Sequence, residues 1–195
     1  MHCVIACDDG FVSKEKVGTT GFTIVGCVLY KGLNPIDVAF SPLRIDGLES
    51  SSIISALAVR LLEENHSNLD MECKPVILLD TIVFAGFNIV SLSLIKKLSG
   101  LDVVSFYNYQ PNTGLLVKTV NEHLDFPKLR ERLLSMQLQN LRAIRTSKGI
   151  TYVVSTVDDL EFLENLIGYY QVYTRNPEPL RTAHMLTSSL SRLFR

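Results

Sequence analysis

No run of apolar residues in this 195-residue chain reaches the roughly 18 needed to span a bilayer as a helix. The opening stretch MHCVIACDDG has neither a basic region nor a long apolar segment, so it does not read as a signal peptide. Together these absences predict a cytoplasmic protein with no membrane partner. The G-K-[ST] that grips phosphates in a P-loop is missing from KVGTTG, and no G-x-G-x-x-G follows a strand, so nucleotide-dependent enzymes gain little support. The four cysteines, Cys3, Cys7, Cys27 and Cys73, lack the C-x-x-C pairs of a zinc site. They sit in or beside apolar segments, which predicts buried, reduced thiols. Repeats, low-complexity linkers and any break that would force a second domain are also absent, so residues 1–195 read as one domain.

What is present is the balance of an ordinary globule: 47% apolar and 20% charged residues, enough for a full hydrophobic core. The formal net charge of -1 hides a segregation. Up to Asp80 there are 6 Lys and Arg against 11 Asp and Glu, and from Thr81 onward there are 13 against 9. The basic stretch PKLRERLLSMQLQNLRAIRTSKG carries Lys128, Arg130, Arg132, Arg142, Arg145 and Lys148 with Glu131 as its one acid, and the tail adds Arg181, Arg192 and Arg195. Such stretches either contact phosphates or form a solvated helix face.

Apolar runs bounded by turn residues predict the order of elements. HCVIACD, TGFTIVGCVLY and PIDVAFSPLRID form an antiparallel meander turned at KGLN, and LESSSIISALAVRLLEE has helical spacing with Ser51 or Ser52 as cap. PVILLD is a strand, NIVSLSLIKKLSG a helix closed by Gly100, LDVVSFY a strand, and helices then dominate, interrupted by ITYVVST. A three-strand antiparallel start followed by alternating helix and strand predicts an α/β fold: a mixed sheet flanked by helices, RNase H-like in order.

On that order, Asp8 ends the first strand, Asp46 the third and Asp80 the fourth. Three strand ends can converge on one rim, where a carboxylate cluster repels itself unless a cation neutralises it. Magnesium or manganese, which take oxygen ligands and keep several waters, suit two or three Asp side chains plus a substrate phosphate. The competing reading is that each Asp caps a helix or makes an Asx turn.

At these residues the chain resembles a known family. CDDGF, IDGLES, LLDTIVFAGFNIVSL, GITYVVST and PEPLRTAHM match, in order and across nearly the whole chain, the signature segments of the archaeal endonuclease dU family. That family is related to endonuclease V. The resemblance implies an RNase H-like fold and a metal-dependent endonuclease that cuts DNA at deoxyuridine, the product of cytosine deamination. It implies metal-binding carboxylates at Asp8, Asp46 and Asp80, with Asp9 and Glu49 as close alternatives, and it leaves a homodimer open. Two departures stand out. The family pattern has Gly after the third Asp, where this chain has Thr81, and the lysine that endonuclease V carries after the strand matching DVVSFY is replaced by Tyr107-Asn108-Tyr109-Gln110. Arg181 or His184 is nominated to supply that charge, Arg181 as a phosphate clamp and His184 as proton donor or metal-shell ligand, since three-residue spacing puts them, with Glu178, on one helix face. The alternative is an exposed Glu-Arg pair and a surface histidine. Phe106, Tyr107 and Tyr109 are candidates to stack on an exposed base or to join the core, and Asn88 reads as a helix cap. The rivals to a DNA nuclease are a non-catalytic nucleic-acid-binding protein on the same fold and a nuclease acting on RNA.

Overall fold

Turn residues and apolar runs divide the chain into β1 (Cys3–Asp9), β2 (Phe22–Lys31), β3 (Asn34–Arg44), α1 (Ser50–Glu64), β4 (Val76–Leu79), β5 (Val83–Phe84), β6 (Asn88–Ile89), α2 (Leu92–Ser99), β7 (Val103–Tyr107), α3 (Thr113–His123), α4 (Pro127–Leu138), β8 (Arg142–Thr146), β9 (Gly149–Ser155), α5 (Leu160–Tyr170) and α6 (Glu178–Leu193). The computed structural model describes residues 2–12, 21–67 and 73–193, so most of KVGTTG, and Arg195, lie outside the described residues. One sheet runs in the order β3-β2-β1-β4-β7-β9-β8. The meander β1–β2–β3 is antiparallel, β1, β4 and β7 are parallel neighbours, and β9 and β8 return antiparallel. This is the expected mixed, RNase H-like arrangement. No helix among the described residues is long and apolar enough to cross a membrane.

The side-chain period of two divides the central strands between two cores. Ile5, Cys7, Ile77, Leu79 and Val103 face a cluster shared with α1, α2 and α4. Val4, Ala6, Leu78, Val104 and Phe106 face the other cluster, shared with α5 and α6. Prolines 35 and 42 lie in β3, which is an edge strand and so tolerates residues that cannot donate to a ladder. Gly100 ends α2 in the left-handed conformation, as its place after the helical run predicts.

Three expectations change. The basic stretch is not one helix: its first half is α4, and its second half, Arg142 to Thr146, is β8, an edge strand paired with β9. A small β5–β6 hairpin, VFAGFN, interrupts the path to α2. The cysteines are paired rather than reduced: Cys7 sits opposite Cys27 on β2 and is bonded to it, with Cα atoms 4.1 Å apart, and Cys3 is bonded to Cys73 at 5.9 Å. Separations of 20 and 70 residues conceal this from a spacing argument, because only strand pairing makes these residues neighbours.

Candidate active site

The register of the parallel strands builds the site. Cys7 pairs with Leu79, so the next residues, Asp8 and Asp80, emerge side by side at the same rim. Alternation then assigns them faces. Asp8 follows Ala6 onto the α6 side, where it meets His184: Asp8 Oδ2 lies 2.7 Å from His184 Nδ1. Asp8 is 3% exposed, whereas the His184 side chain is 62% exposed. Asp9 follows Cys7 onto the opposite face and accepts a hydrogen bond from the Ala85 amide at 2.8 Å. The helix α6 is fixed on β1 by Thr187, whose hydroxyl donates to the Asp9 carbonyl at 3.0 Å.

Electrostatics follow from this packing. Burial and the neighbouring Asp80 carboxylate push Asp8 from 3.8 up to about 7. Burial and the Asp8 charge push Asp9 up to about 7, against the Ala85 amide, which favours its anion. Burial raises Asp80 as well, opposed by His184.

Asp46 is placed differently. Its backbone sits at φ 54°, its amide donates to the Ala85 carbonyl, and its Oδ1 accepts from the Phe87 amide at 2.7 Å. The turn Ala85-Gly86-Phe87 therefore wraps around this carboxylate. Gly86 stands at φ 82°, and a Cβ there would overlap Asp46 Oδ1, so the glycine of FAGFN is needed both for its backbone angle and for the close approach. Glu49 folds back on its own turn, accepting from the Arg44 and Leu48 amides. Among the described residues no group of three or more His, Cys, Asp or Glu side chains is arranged to hold a metal ion. The structure brings Asp8, Asp80 and His184 together, puts Asp9 behind them, and joins Asp46 to them only through the 85–87 turn.

The basic residues separate into tied and untied ones. Arg130 is buried, and its guanidinium donates to the carbonyls of Asp46, Gly47, Phe87 and Asp125. The sequence nominated it for phosphate; the structure uses it to pin α4 to the 46–47 turn and the β5–β6 hairpin, since a guanidinium has five N–H groups and can serve four carbonyls at once. Arg142 likewise donates to the carbonyls of Val157 and Asp158. Lys128 and Arg145 are exposed. Arg181 forms a two-oxygen pair with Glu178, at 2.9 and 2.8 Å, the pair that the three-residue spacing allowed.

The departures from the family pattern resolve locally. Thr81 has no positive φ, and its hydroxyl accepts from the Val83 amide at 3.2 Å, so this turn does not require glycine. Phe106 is core, and the Tyr107 hydroxyl accepts from the Ile82 amide, leaving Tyr109 as the exposed aromatic of the three. Asn88 is a cap, but of α1: its side-chain oxygen accepts from the Ser50 amide. A cation that sequence reasoning missed stands at the end of β7. Arg175 donates to the carbonyls of Asn108 and Ile150 from a loop 67 residues away, and no spacing signal connects those positions.

A family model described as endonuclease dU matches residues 2–191. A UPF0215 protein of Aeropyrum pernix is 33% identical over 195 residues, covering 98% of this chain and 99% of that one. Among solved structures, a protein of unknown function from Archaeoglobus fulgidus aligns with a TM-score of 0.78 at 19% identity, covering 97% of this chain and 98% of that one. Ciona intestinalis endonuclease V, in complex with a 24mer DNA containing an inosine followed by a ribo-adenosine, aligns with a TM-score of 0.61 at 14% identity, covering 99% of this chain and 87% of that one. At such identities the solved structures speak to the fold, which is that of endonuclease V.

Proposed function

The chain belongs to the endonuclease dU family, and from that premise we propose that it is a divalent-metal-dependent endonuclease, acting as one domain over residues 1–195, that hydrolyses phosphodiester bonds in DNA at or beside deoxyuridine. A nuclease is supported by the family and by the endonuclease V fold; the lesion and the metal belong to this proposal. One observation carries it: Asp8 and Asp80 lie side by side on adjacent parallel strands, both pushed toward the neutral form, with His184 on Asp8.

These residues fit a magnesium or manganese ion. Two partly desolvated carboxylates that disfavour each other's charge are what a hard cation relieves, and such ions complete their shell with water and substrate oxygens. Asp8 and Asp80 would hold the ion, which supplies Lewis acidity at the scissile phosphate and a lowered pKa for bound water. The chain itself does the rest. Asp8 fixes the His184 ring by its Nδ1, leaving Nε2 for the substrate. Attack of water forms a new P–O bond and breaks the bond to the leaving oxygen; the water's proton passes to solvent, and the leaving oxygen takes up a proton for which His184 is the proposed donor. Asp9 and Asp46 hold the Ala85–Phe87 turn against the rim. Lys128, Arg145 and Arg181 are the cations proposed to face phosphates.

The test is cleavage of matched duplexes differing only in deoxyuridine, inosine or a ribose, with and without magnesium. Metal-dependent cutting confined to the deoxyuridine strand is expected. Cutting confined to ribose-containing strands would redirect the reading to RNA, and a gel shift without cutting in any metal would make the protein a binding module.

A further inference from the structure

Beyond the rim acids, β7 leads into a loop whose Tyr109 is 75% exposed. Its ring is not loose. The Arg175 guanidinium lies 5.1 Å from the ring centroid and is itself fixed, donating to the Asn108 carbonyl at 2.8 Å and to the Ile150 carbonyl. One face of the ring is thus backed by a held cation while most of the residue stays in solvent. Tyr173, 78% exposed, lies on the Arg175 loop. Beneath these two loops Asn108 Oδ1, Arg175 Nε and Asn176 Oδ1 are buried without a hydrogen-bond partner. Polar atoms left unpaired in a buried place cost stability, so the loops carry groups their own packing does not use. The end of the sheet is the relevant one: β7 is the strand next to β4, Ser105 pairs with Leu79, and Tyr109 follows β7 off the same end from which Asp80 emerges.

We propose that Tyr109, braced by Arg175, is a stacking platform for an unpaired base of the nucleic acid, one strand over from the Asp8–Asp80 pair. The proposal rests on the nucleic-acid reading above and adds the group that holds a base once it leaves the duplex stack. Every base has a π face, so a braced aromatic ring binds without sequence preference and loses little freedom in doing so. The cation behind the ring adds attraction for the adjacent phosphate.

The experiment compares wild type, Tyr109→Phe and Tyr109→Ala on a single-stranded oligodeoxynucleotide carrying 2-aminopurine, across a salt series. Stacking quenches this base. Wild type and Tyr109→Phe are expected to quench it alike, whereas Tyr109→Ala leaves it bright and binds roughly 5- to 150-fold more weakly, the measured range for one base–aromatic stack, with the same slope of log affinity against log salt. Unchanged affinity and quenching in Tyr109→Ala would overturn the platform, as would a loss that appears only as a shallower salt slope, the mark of a phosphate contact. Tyr109-dependent quenching by a protein that cuts no substrate keeps the platform and removes the nuclease reading; cutting at deoxyuridine that is indifferent to Tyr109 does the reverse.

Discussion

Asp80 is the residue on which chemistry and stability pull in opposite directions. Burial disfavours its charge, Asp8 stands beside it, and among the described residues no donor bonds its carboxylate. Asp80→Asn removes a proposed metal ligand while relieving repulsion in the metal-free protein. Turnover is expected to fall by more than about a hundredfold, since even residues that only orient ligands cost 10- to 100-fold. The metal-free Tm should rise by roughly 2–4 °C for each kcal/mol relieved. A melt without metal beside a magnesium titration checks both, and a lower Tm with an unchanged metal response would make Asp80 structural. The same acids give stability a pH dependence. Asp8 and Asp9 titrate at 3.8 ordinarily and at about 7 when folded. Between those values the folded state holds protons that the unfolded state has released, so their contribution is fully present below about 4 and is lost as pH rises through about 7. Melting of the metal-free protein at about pH 5 and about pH 8 is expected to show the lower Tm at the higher pH.

Strands and helices bring these residues together, and two kinds of tie hold the elements. β1 is clasped to β2 by Cys7–Cys27 and to the segment before β4 by Cys3–Cys73. Paired cysteines are found in intracellular proteins of hyperthermophilic archaea, and the relatives of this chain come from archaea. Closing a loop of the size between Cys7 and Cys27 is worth about 3 kcal/mol and one of the size between Cys3 and Cys73 about 4, so dithiothreitol, which opens both, is expected to lower the Tm by roughly 14–28 °C, with no thiol titratable in the untreated folded protein. Arg130 is the second tie. Arg130→Met strands the carbonyls of Asp46, Gly47 and Phe87, each worth about 1–3 kcal/mol when buried without a donor. The variant should melt well below wild type yet keep the salt slope of DNA binding, whereas loss of a phosphate contact would reduce that slope by about 1. Element order, the mixed sheet and the strand-end position of Asp8 and Asp80 were legible in the sequence, because hydrophobic period and turn residues encode them locally. The β5–β6 hairpin was not, because two-residue strands carry no period, and the hold of Asp46 on Phe87 depends on a turn that only tertiary contact defines. The jobs of Arg130 and Arg175 were hidden for the same reason: a guanidinium tied to carbonyls and one free for phosphate look alike in a sequence.

At the scale of the molecule, the late segments return to the sheet built by the early ones: His184 of α6 reaches Asp8 of β1, and the loop carrying Arg175 reaches the Asn108 carbonyl just after β7. If Lys128, Arg145 and Arg181 meet phosphates, log affinity for DNA should fall with log salt at a slope near -0.9 for each phosphate neutralised, about -3 for all three. Affinity indifferent to salt would remove nucleic acid as the partner. Asp8 and His184 stand 176 positions apart. A ribosome therefore makes the acids early and the imidazole late, and α6 seats on β1 only after the other described strands and helices have been made. If His184 is the proton donor proposed above, the group that completes the site is made 176 positions after the acid that orients it.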